Sequence, residues 1–142
     1  MRATAGRRWG RCCRPPPRRG LVLIDPPYEQ PGEYDRVVAA LRTVAARFPA
    51  GVVAAWYPIK HRAPVRALHE TVQLSGIKDV VAAELWLREP TDPTRLNGCG
   101  LLVRQPPFLW DQEWPPLLDA LLARLGTREP GEGTALTRLT GE

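Results

Sequence analysis

Hydrophobic residues along the chain form short apolar runs, each bounded by polar residues or prolines. Four runs predict strands, at residues 21–24, 52–57, 80–87 and 98–103. Runs with little polar alternation are typical of strands covered on both faces of a sheet. The third run contains Glu84, whose carboxylate needs solvent or a polar partner in such a strand. The other three are each followed by a proline, which cannot donate to a strand ladder.

The segments between the first three runs carry apolar residues at helical spacing. One spans Tyr34 to Phe48. The other has Pro64 in its first turn and Gly76 just past its end, positions that these residue types favour. A helix between the first two strands makes a strand–helix–strand crossover, so we expect those strands to be parallel. The pattern therefore predicts an α/β fold.

The carboxyl-terminal part predicts a third helix, opened by Pro115 and Pro116 and ended by Gly126. Five leucines of this helix are expected to face the core: Leu117, Leu118, Leu121, Leu122 and Leu125. The tail after Gly126 is rich in glycine and threonine, and no element is predicted there.

The formal net charge of +5 over 142 residues is concentrated at the amino end. Residues 1–20 hold seven arginines and no acid, whereas the rest of the chain holds 13 basic and 15 acidic residues. We expect residues 1–19 to form an arginine- and proline-rich arm that is disordered or extended. Two roles are open for this arm, a phosphate-binding tail or a targeting signal at Arg7-Arg8, although the apolar run that follows is too short for a signal sequence.

Composition disfavours two further classes of protein. No window approaches the ~20 consecutive apolar residues of a transmembrane helix, so no membrane association is expected. The three cysteines, Cys12, Cys13 and Cys99, lack CxxC spacing, which indicates neither a disulfide framework nor a zinc site. A reducing, cytoplasmic location and a protein without a metal are the resulting expectations.

The residues after the first strand, Asp25-Pro26-Pro27-Tyr28, are similar to a signature of methyltransferases that act on exocyclic amino groups of nucleobases. Asp25 and the Pro26 carbonyl would accept hydrogen bonds from the amine and free its lone pair to attack a methyl sulfonium. Pro26 and Pro27 would hold that carbonyl in place because proline fixes φ, and Tyr28 would stack on the unstacked base. On these four residues alone, a strand-ending turn capped by Asp25 is the alternative.

Three sequence blocks in this order resemble the RlmJ family of large-subunit ribosomal RNA adenine-N6 methyltransferases: residues 20–29, residues 56–60, and residues 97–103 followed by Pro106-Pro107. The resemblance implies a partial class I S-adenosylmethionine-dependent methyltransferase sheet, which is Rossmann-like. About four strands are expected, with residues 98–103 antiparallel between the two preceding strands and helices on both faces. It also implies S-adenosylmethionine as cofactor, with Asp25 against it, and a monomer that acts on protein-poor or naked 23S ribosomal RNA.

The resemblance further implies that residues 20–142 are the carboxyl-terminal half of a methyltransferase domain. Family members carry three further strands upstream, which bind most of the cofactor, and no glycine-rich phosphate loop precedes Gly20. A truncated form is therefore expected. The alternatives are a DNA adenine-N6 methyltransferase, which uses the same tetrapeptide, and a catalytically inactive fragment with an RNA-binding basic arm.

Four cations are expected to hold RNA phosphates beside the motif: Lys60, Arg62, Arg88 and Arg95. They follow the second and third strands, at the sheet edge where Asp25 follows the first. Phosphate contacts of this kind position RNA without reading its sequence. The alternative is an ordinary solvated surface, which is favoured for Arg66. Trp56 and Tyr57 end an apolar strand and are expected to pack in the core.

Overall fold

The computed structural model describes residues 19–141. The predicted arm, apart from Arg19, lies outside the described residues, and its disorder stays a prediction. The described chain forms five strands and three helices: β1 (Leu21–Ile24), α1 (Glu33–Arg47), β2 (Val52–Ile59), α2 (Arg62–Leu74), β3 (Val80–Trp86), β4 (Gly98–Arg104), α3 (Trp110–Leu125) and β5 (Gly133–Thr140). None of these helices is long and apolar enough to cross a membrane.

The strands form one mixed sheet in the order β1-β2-β4-β3-β5. β1 and β2 pair in parallel, as the crossover predicts. β4 lies between β2 and β3 and is antiparallel to both, which confirms the orientation expected for residues 98–103. β1, β2 and β3 therefore run in the same direction. Their carboxyl ends meet the start of β4 at one edge of the sheet, here called the carboxyl edge, and the opposite edge is called the amino edge.

The tail contains a fifth strand, so the prediction of about four strands was wrong by one. β5 pairs antiparallel with β3 from Gly133 to Thr140, with an irregularity beside Val80 and Val81. Its sequence contains glycine, threonine and arginine, so it forms no apolar run and was not predicted from the apolar pattern. Tertiary contacts hold its start: the Trp86 indole Nε1 donates to the Gly131 carbonyl at 2.8 Å, and the missing side chain of Gly133 leaves room for the indole ring.

Helices cover both faces of the sheet, as expected. α1 and α2 pack on one face against residues that include Ile24, Val53 and Leu102. α3 packs on the other face, where Leu118 meets Ala83 and Leu85 of β3. Alternating positions of β3 thus contribute to two different cores, which explains why its apolar run shows almost no polar alternation.

α3 differs from the prediction in its start and in its orientation. It begins at Trp110, so Pro115 and Pro116 lie inside the helix instead of opening it. Leu118 is buried, but three of the five leucines expected in the core are exposed: Leu117 (45%), Leu121 (40%) and Leu125 (58%). The helix contacts the sheet mainly along β3 and β5, so one narrow apolar stripe is covered.

β2 continues through Pro58, which was expected to stop it. β1 ends where Ile24 pairs with Ala55, so beyond that point one side of β2 has no strand neighbour among the described residues. A proline is tolerated at such a free edge because no ladder hydrogen bond is lost. On the β4 side, Pro58 stands opposite Cys99.

One row of the sheet carries a contact that spans three strands. Tyr57 of β2, Gly100 of β4 and Glu84 of β3 stand side by side in register. The fully buried Tyr57 ring lies across Gly100, where any added Cβ would clash with the ring. The Tyr57 hydroxyl reaches over β4 and donates a hydrogen bond of 2.7 Å to Glu84 Oε1. The polar partner that Glu84 requires is therefore a tyrosine two strands away.

We expect Gly100→Ala to lower the free energy of unfolding by about 1–3 kcal/mol, because the new methyl group overpacks the row and displaces Tyr57 from Glu84. Urea unfolding followed by circular dichroism measures the change. Gly141→Ala is the matched control, since no atom of the described residues lies within 4 Å of the added Cβ at that position. Equal stability of the two variants would contradict the role given to Gly100.

Candidate active site

The Asp25-Pro26-Pro27-Tyr28 motif follows β1 directly and lies at the carboxyl edge. Asp25 and Pro27 are exposed, and Pro26 is partly exposed. No described residue donates a hydrogen bond to the Asp25 carboxylate or forms an ion pair with it. Asp25 therefore does not cap the following turn, and none of residues 19–141 occupies its oxygens.

Tyr28 is held in an unusual backbone conformation. Its φ of +53° lies in the left-handed region, which costs a residue other than glycine about 1–2 kcal/mol. Its hydroxyl donates a hydrogen bond of 2.6 Å to the Trp56 carbonyl of β2. The centroid of its ring lies 5.4 Å from that of the Tyr34 ring. It lies 5.7 Å from that of the Trp56 ring, which it meets edge-on. These contacts compensate the backbone strain and fix the direction of the half-buried ring.

Tyr34 anchors the start of α1 in the same way. Its hydroxyl donates to the Pro58 carbonyl of β2 at 2.8 Å. Tyr28 and Tyr34 thus bind successive outward carbonyls of β2, in the stretch that β1 leaves unpaired. Burial raises the pKa of both hydroxyls, and for Tyr28 the charges near it, Tyr34, Asp25 and Glu33, raise the pKa further.

The structure brings three of the four predicted RNA-binding cations into ion pairs at the carboxyl edge. Arg62 lies 2.9 Å from Glu89 and stacks over the Trp86 ring at 4.9 Å. Arg88 binds Glu129 through two nitrogens, at 2.7 and 2.9 Å, and Arg95 lies 3.9 Å from the same carboxylate. The Lys60 side chain is exposed and makes no ion pair with a described residue.

Glu129 is a site residue that the sequence did not indicate, because it lies in the tail where no structure was predicted. The hydrogen bond from Arg88 lowers the pKa of Glu129 to about 2, although partial desolvation opposes the shift. The carboxylate is thus charged at any physiological pH. It neutralises part of the positive edge on which RNA contacts were expected.

Asn97 is a second residue to which the sequence gave no role. It is fully buried directly before β4. Its Nδ2 donates to the Lys60 carbonyl at 2.7 Å and to the Asp92 carbonyl at 2.9 Å, and its backbone N–H donates to Ile59 at 2.9 Å. One side chain therefore joins the end of β2, the loop after β3 and the start of β4. The only sequence feature that pointed to Asn97 was its position in the block of residues 97–103, directly before Gly98.

Beneath the edge, His69 of α2 joins Tyr57 and Glu84. His69 Nε2 lies 3.1 Å from the Tyr57 oxygen and 3.3 Å from Glu84 Oε1. Because Tyr57 donates its proton to Glu84, Nε2 must carry a hydrogen and donate to the pair. Burial opposes ionisation of Glu84, but the hydrogen bonds from His69 and Tyr57 outweigh it and lower the pKa of Glu84. Tyr57 is a core residue, as expected, and Trp56 is partly buried.

Residues 7–136 match one protein family, described as "Ribosomal RNA large subunit methyltransferase D, RlmJ". The chain belongs to the RlmJ family. This confirms the family indicated by the three sequence blocks. The matched range contains the Asp25–Tyr28 motif and all four predicted RNA-binding cations, so the candidate site lies within the region that the RlmJ family shares.

Two curated relatives are both named "Ribosomal RNA large subunit methyltransferase J". The one from Haemophilus influenzae is 34% identical and the one from Escherichia coli is 32% identical, each over 120 residues. Each alignment covers 84% of this chain and 43% of the relative. The chain thus spans less than half the length of the RlmJ relatives that it matches.

A solved structure shares the fold. The crystal structure of a protein from Legionella pneumophila (strain Philadelphia 1) superposes with a TM-score of 0.79 and 26% sequence identity. The superposition covers 94% of this chain and 48% of that protein. The arrangement of strands and helices described above therefore also occurs as one part of a longer polypeptide.

The tyrosines provide a test of the site's packing. The sequence contains three tyrosines, and all three hydroxyls donate hydrogen bonds to described residues. Burial raises the pKa of each above the ordinary value of 10.0. The protonated hydroxyls therefore stabilise the folded chain fully below pH 10.0. This stabilisation is lost as the pH rises towards the raised pKa values of the tyrosines in the folded chain. We expect ultraviolet absorbance to show no tyrosinate near that pH while circular dichroism shows a folded chain.

The control is the chain in concentrated denaturant, where all three tyrosines should ionise at their ordinary pKa. Tyr28→Phe should reduce the total absorbance change by about one third, without creating an early ionisation step. Reversible ionisation of a tyrosine near pH 10 in the folded chain would show that at least one hydroxyl is not held as described.

Proposed function

We propose that this chain forms the amine-binding part of an S-adenosylmethionine-dependent methyltransferase that acts on the N6 amine of an adenine in large-subunit ribosomal RNA. The observation that carries the proposal is the Asp25 carboxylate, which has no hydrogen-bond or ion-pair partner among residues 19–141 and lies beside an immobilised Tyr28 at the end of a parallel strand. Ligands of open α/β sheets bind at this position. The names of the two relatives give ribosomal RNA as their substrate.

The chemistry requires acceptors, and the motif supplies two. An adenine amine is a weak nucleophile because its lone pair is delocalised into the ring. One N6–H group donates a hydrogen bond to Asp25 and the other donates to the Pro26 carbonyl, which draws the nitrogen towards a tetrahedral geometry. Bound S-adenosylmethionine would supply the electrophilic methyl group. Methyl transfer would leave positive charge on N6, which the Asp25 carboxylate would stabilise until one N6 proton passes to solvent, to which Asp25 is exposed.

The described residues fit one end of this cofactor. Asp25 and Pro26 offer oxygens at the strand end where a methyl group would meet the amine, and both retain solvent exposure. The outer edge of β1 has no strand partner among residues 19–141, and Leu21 and Leu23 are 67% and 59% exposed there. We infer that the rest of the cofactor site belongs to polypeptide that packs against β1 in a complete, Rossmann-like class I domain.

Tyr28 is proposed to support the target base. Its hydroxyl is bound to Trp56 and its ring is braced by Tyr34, so little rotational freedom is lost when a base stacks on it. Pre-ordered aromatic side chains are the usual support for an unstacked base. Proline at positions 26 and 27 restricts the loop that joins this support to Asp25.

The cations of the carboxyl edge are proposed to hold RNA phosphates. Lys60 has no ion-pair partner among residues 19–141, whereas Arg62, Arg88 and Arg95 must first exchange Glu89 or Glu129 for a phosphate. Ion pairs between exposed side chains are weak in water, so such an exchange is feasible for Arg62 and Arg95. Arg88 is held by two hydrogen bonds and is the least available of the four.

Asp25→Ala should reduce methyl transfer by about 10²–10³-fold, because one acceptor for the reacting amine is removed. The assay uses a hybrid in which residues 20–141 replace the matching part of the Escherichia coli relative, with labelled S-adenosylmethionine and unmodified large-subunit ribosomal RNA. Glu70→Ala is the control, since Glu70 is an exposed carboxylate on α2 that no described contact joins to the motif. Full activity of the Asp25 variant would refute its role.

The same assay separates the proposal from its rivals. Faster methylation of duplex DNA than of ribosomal RNA would indicate a DNA adenine-N6 methyltransferase. A hybrid that folds and binds S-adenosylmethionine in calorimetry, yet transfers no methyl group to either nucleic acid, would indicate that this segment is catalytically inactive.

Lys60→Gln should weaken binding of single-stranded ribosomal RNA by the 142-residue chain and reduce the slope of log affinity against log salt by about 0.7, the value for one lost phosphate contact. Arg124→Gln removes an equal charge from the exposed side of α3 and should leave the slope unchanged. If both variants, or neither, alter the slope, Lys60 is not a specific phosphate contact.

A further inference from the structure

A small cavity lies on the face of the sheet that α1 and α2 cover, beside the ends of β2 and β3. Its volume is about 190 Å³, and its lining includes five polar or aromatic side chains: Arg62, Arg66, His69, Glu84 and Trp86. Arg62 and Arg66 are exposed, so the cavity is reached from solvent. Neither Glu84 nor His69 has a role in the methyl transfer or in the phosphate contacts proposed above.

Glu84 presents an unused acceptor to this cavity. Only 9% of its surface is exposed. Tyr57 donates to Oε1 at 2.7 Å, and His69 Nε2 lies 3.3 Å from the same oxygen. Oε2 accepts no hydrogen bond from any described residue. It retains accessible surface, because in the described chain only Arg104 and Trp110 hold a fully enclosed side-chain atom without a partner.

The structural role of Glu84 accounts for only one of its oxygens. Through Oε1, Glu84 joins Tyr57 of β2 and His69 of α2 to β3. The hydrogen bonds from these two residues lower the pKa of Glu84, so at neutral pH its side chain is a carboxylate that only accepts. A buried carboxylate oxygen without a donor is unfavourable. A ligand that brings an N–H group to Oε2 is therefore stabilised in the cavity.

The charges around the cavity define the ligand. Arg62 and Arg66 stand at its opening, and Glu84 lies inside. A simple anion is repelled by the carboxylate, and a simple cation is repelled by the two arginines. A nucleotide with an exocyclic amine suits both ends, since the amine donates to the carboxylate and the phosphate binds arginine. The cavity is smaller than pockets for drug-sized ligands, which favours a single-ring base, and cytosine is the single-ring base of RNA that carries an amine.

Trp86 provides a flat surface for such a base. Its indole Nε1 donates to the Gly131 carbonyl at 2.8 Å, so the orientation of the ring is fixed. The Arg62 guanidinium lies over this ring at 4.9 Å and pairs with Glu89 at 2.9 Å. Ion pairs between exposed side chains are weak, so Arg62 exchanges Glu89 for a phosphate at low cost and leaves the indole to the base. Bases of single-stranded RNA commonly stack on aromatic side chains.

We propose that this cavity binds a cytosine in the same RNA strand as the target adenine. The cytosine N4 amine donates to Glu84 Oε2, the ring stacks on Trp86, and the phosphate contacts Arg62 and Arg66. Uracil has a carbonyl oxygen in place of this amine and is repelled by the carboxylate. β2 and β4 separate β1 from β3, so the cavity lies three strand spacings, roughly 14 Å, from Asp25. The inference rests on the proposed RNA substrate.

The test is a nuclear magnetic resonance titration of the ¹⁵N-labelled 142-residue chain with cytidine or uridine 5′-monophosphate at constant ionic strength. The readout is the indole N–H resonance of Trp86, identified by its loss in Trp86→Phe. It should shift and saturate with cytidine monophosphate at a concentration about ten-fold below that required of uridine monophosphate, the size of one base-specific contact. Equal affinities for the two nucleotides, or an unmoved Trp86 resonance, would overturn the proposal.

Glu84→Gln tests the acceptor. The amide keeps the shape of the side chain and offers a donor to the uracil carbonyl as well as an acceptor to the cytosine amine. A folded variant should therefore bind the two nucleotides with similar affinity, and a preserved ten-fold preference would overturn the role of Glu84. If this variant does not fold, the comparison of the two nucleotides on the unchanged chain decides the question.

Arg66→Gln tests the phosphate contact. This variant should bind cytidine monophosphate about three-fold more weakly, the effect of one exposed ionic contact, and should bind uncharged cytidine as before. Arg124→Gln removes an equal charge from the exposed side of α3 and should change neither affinity. Equal weakening by the two variants would overturn the contact at Arg66.

A last arm identifies the source of the cytosine. A short single-stranded oligoribonucleotide that contains cytosine should shift the Trp86 resonance at lower concentration than free cytidine monophosphate, and the reverse order would overturn the assignment to RNA. These titrations involve neither S-adenosylmethionine nor methyl transfer. Their failure would remove the cytosine site and leave the role of Asp25 standing, whereas full activity of the Asp25→Ala hybrid would refute that role without changing these titrations.

Discussion

The insertion of β4 between two strands that run in the opposite direction is the constraint on which the rest of the structure depends. β4 must form hydrogen bonds on both sides while side chains of its neighbours cross it. Glycine makes this possible: a Cβ at Gly98 would meet the backbone of Leu85 and Trp86, and one at Gly100 would meet the Tyr57 ring. The row from Tyr57 to Glu84 then fixes the register of three strands. With the register set, the carboxyl ends of β1, β2 and β3 and the starts of β4 and β5 converge at the carboxyl edge.

The candidate site uses a gap in this sheet. Since β1 has four residues, the β2 carbonyls beyond Ala55 have no strand partner on that side among the described residues. Unpaired buried carbonyls are unfavourable, and side chains satisfy them: Tyr28 binds Trp56 and Tyr34 binds Pro58. The same contacts hold Tyr28 in its left-handed backbone conformation. The shortness of β1 thus produces both the open position of Asp25 and the rigidity of its aromatic neighbour.

Charge is distributed differently at the two edges of the sheet. At the carboxyl edge, Glu89 and Glu129 pair with three arginines, so the positive potential there is weaker than the residue types indicate. At the amino edge, Arg104 is buried and forms no ion pair with any of residues 19–141. The number of cations in the sequence does not show how much positive charge each edge presents. That charge depends on which acidic side chains the fold brings next to the cations.

The sequence by itself determined the α/β class, the boundaries of the first four strands to within a few residues, the parallel crossover and the place of the Asp25 motif. These features depend on local signals: apolar runs, helical spacing, and prolines and glycines at element ends. Tertiary structure alone decided the existence of β5, the exposed leucines of α3 and the passage of β2 through Pro58. It also decided the partners of Arg88 and Glu84. Each of these features depends on contacts between residues that are close in space but tens of residues apart in the chain, such as strand pairs and ion pairs. No local sequence pattern encodes such contacts.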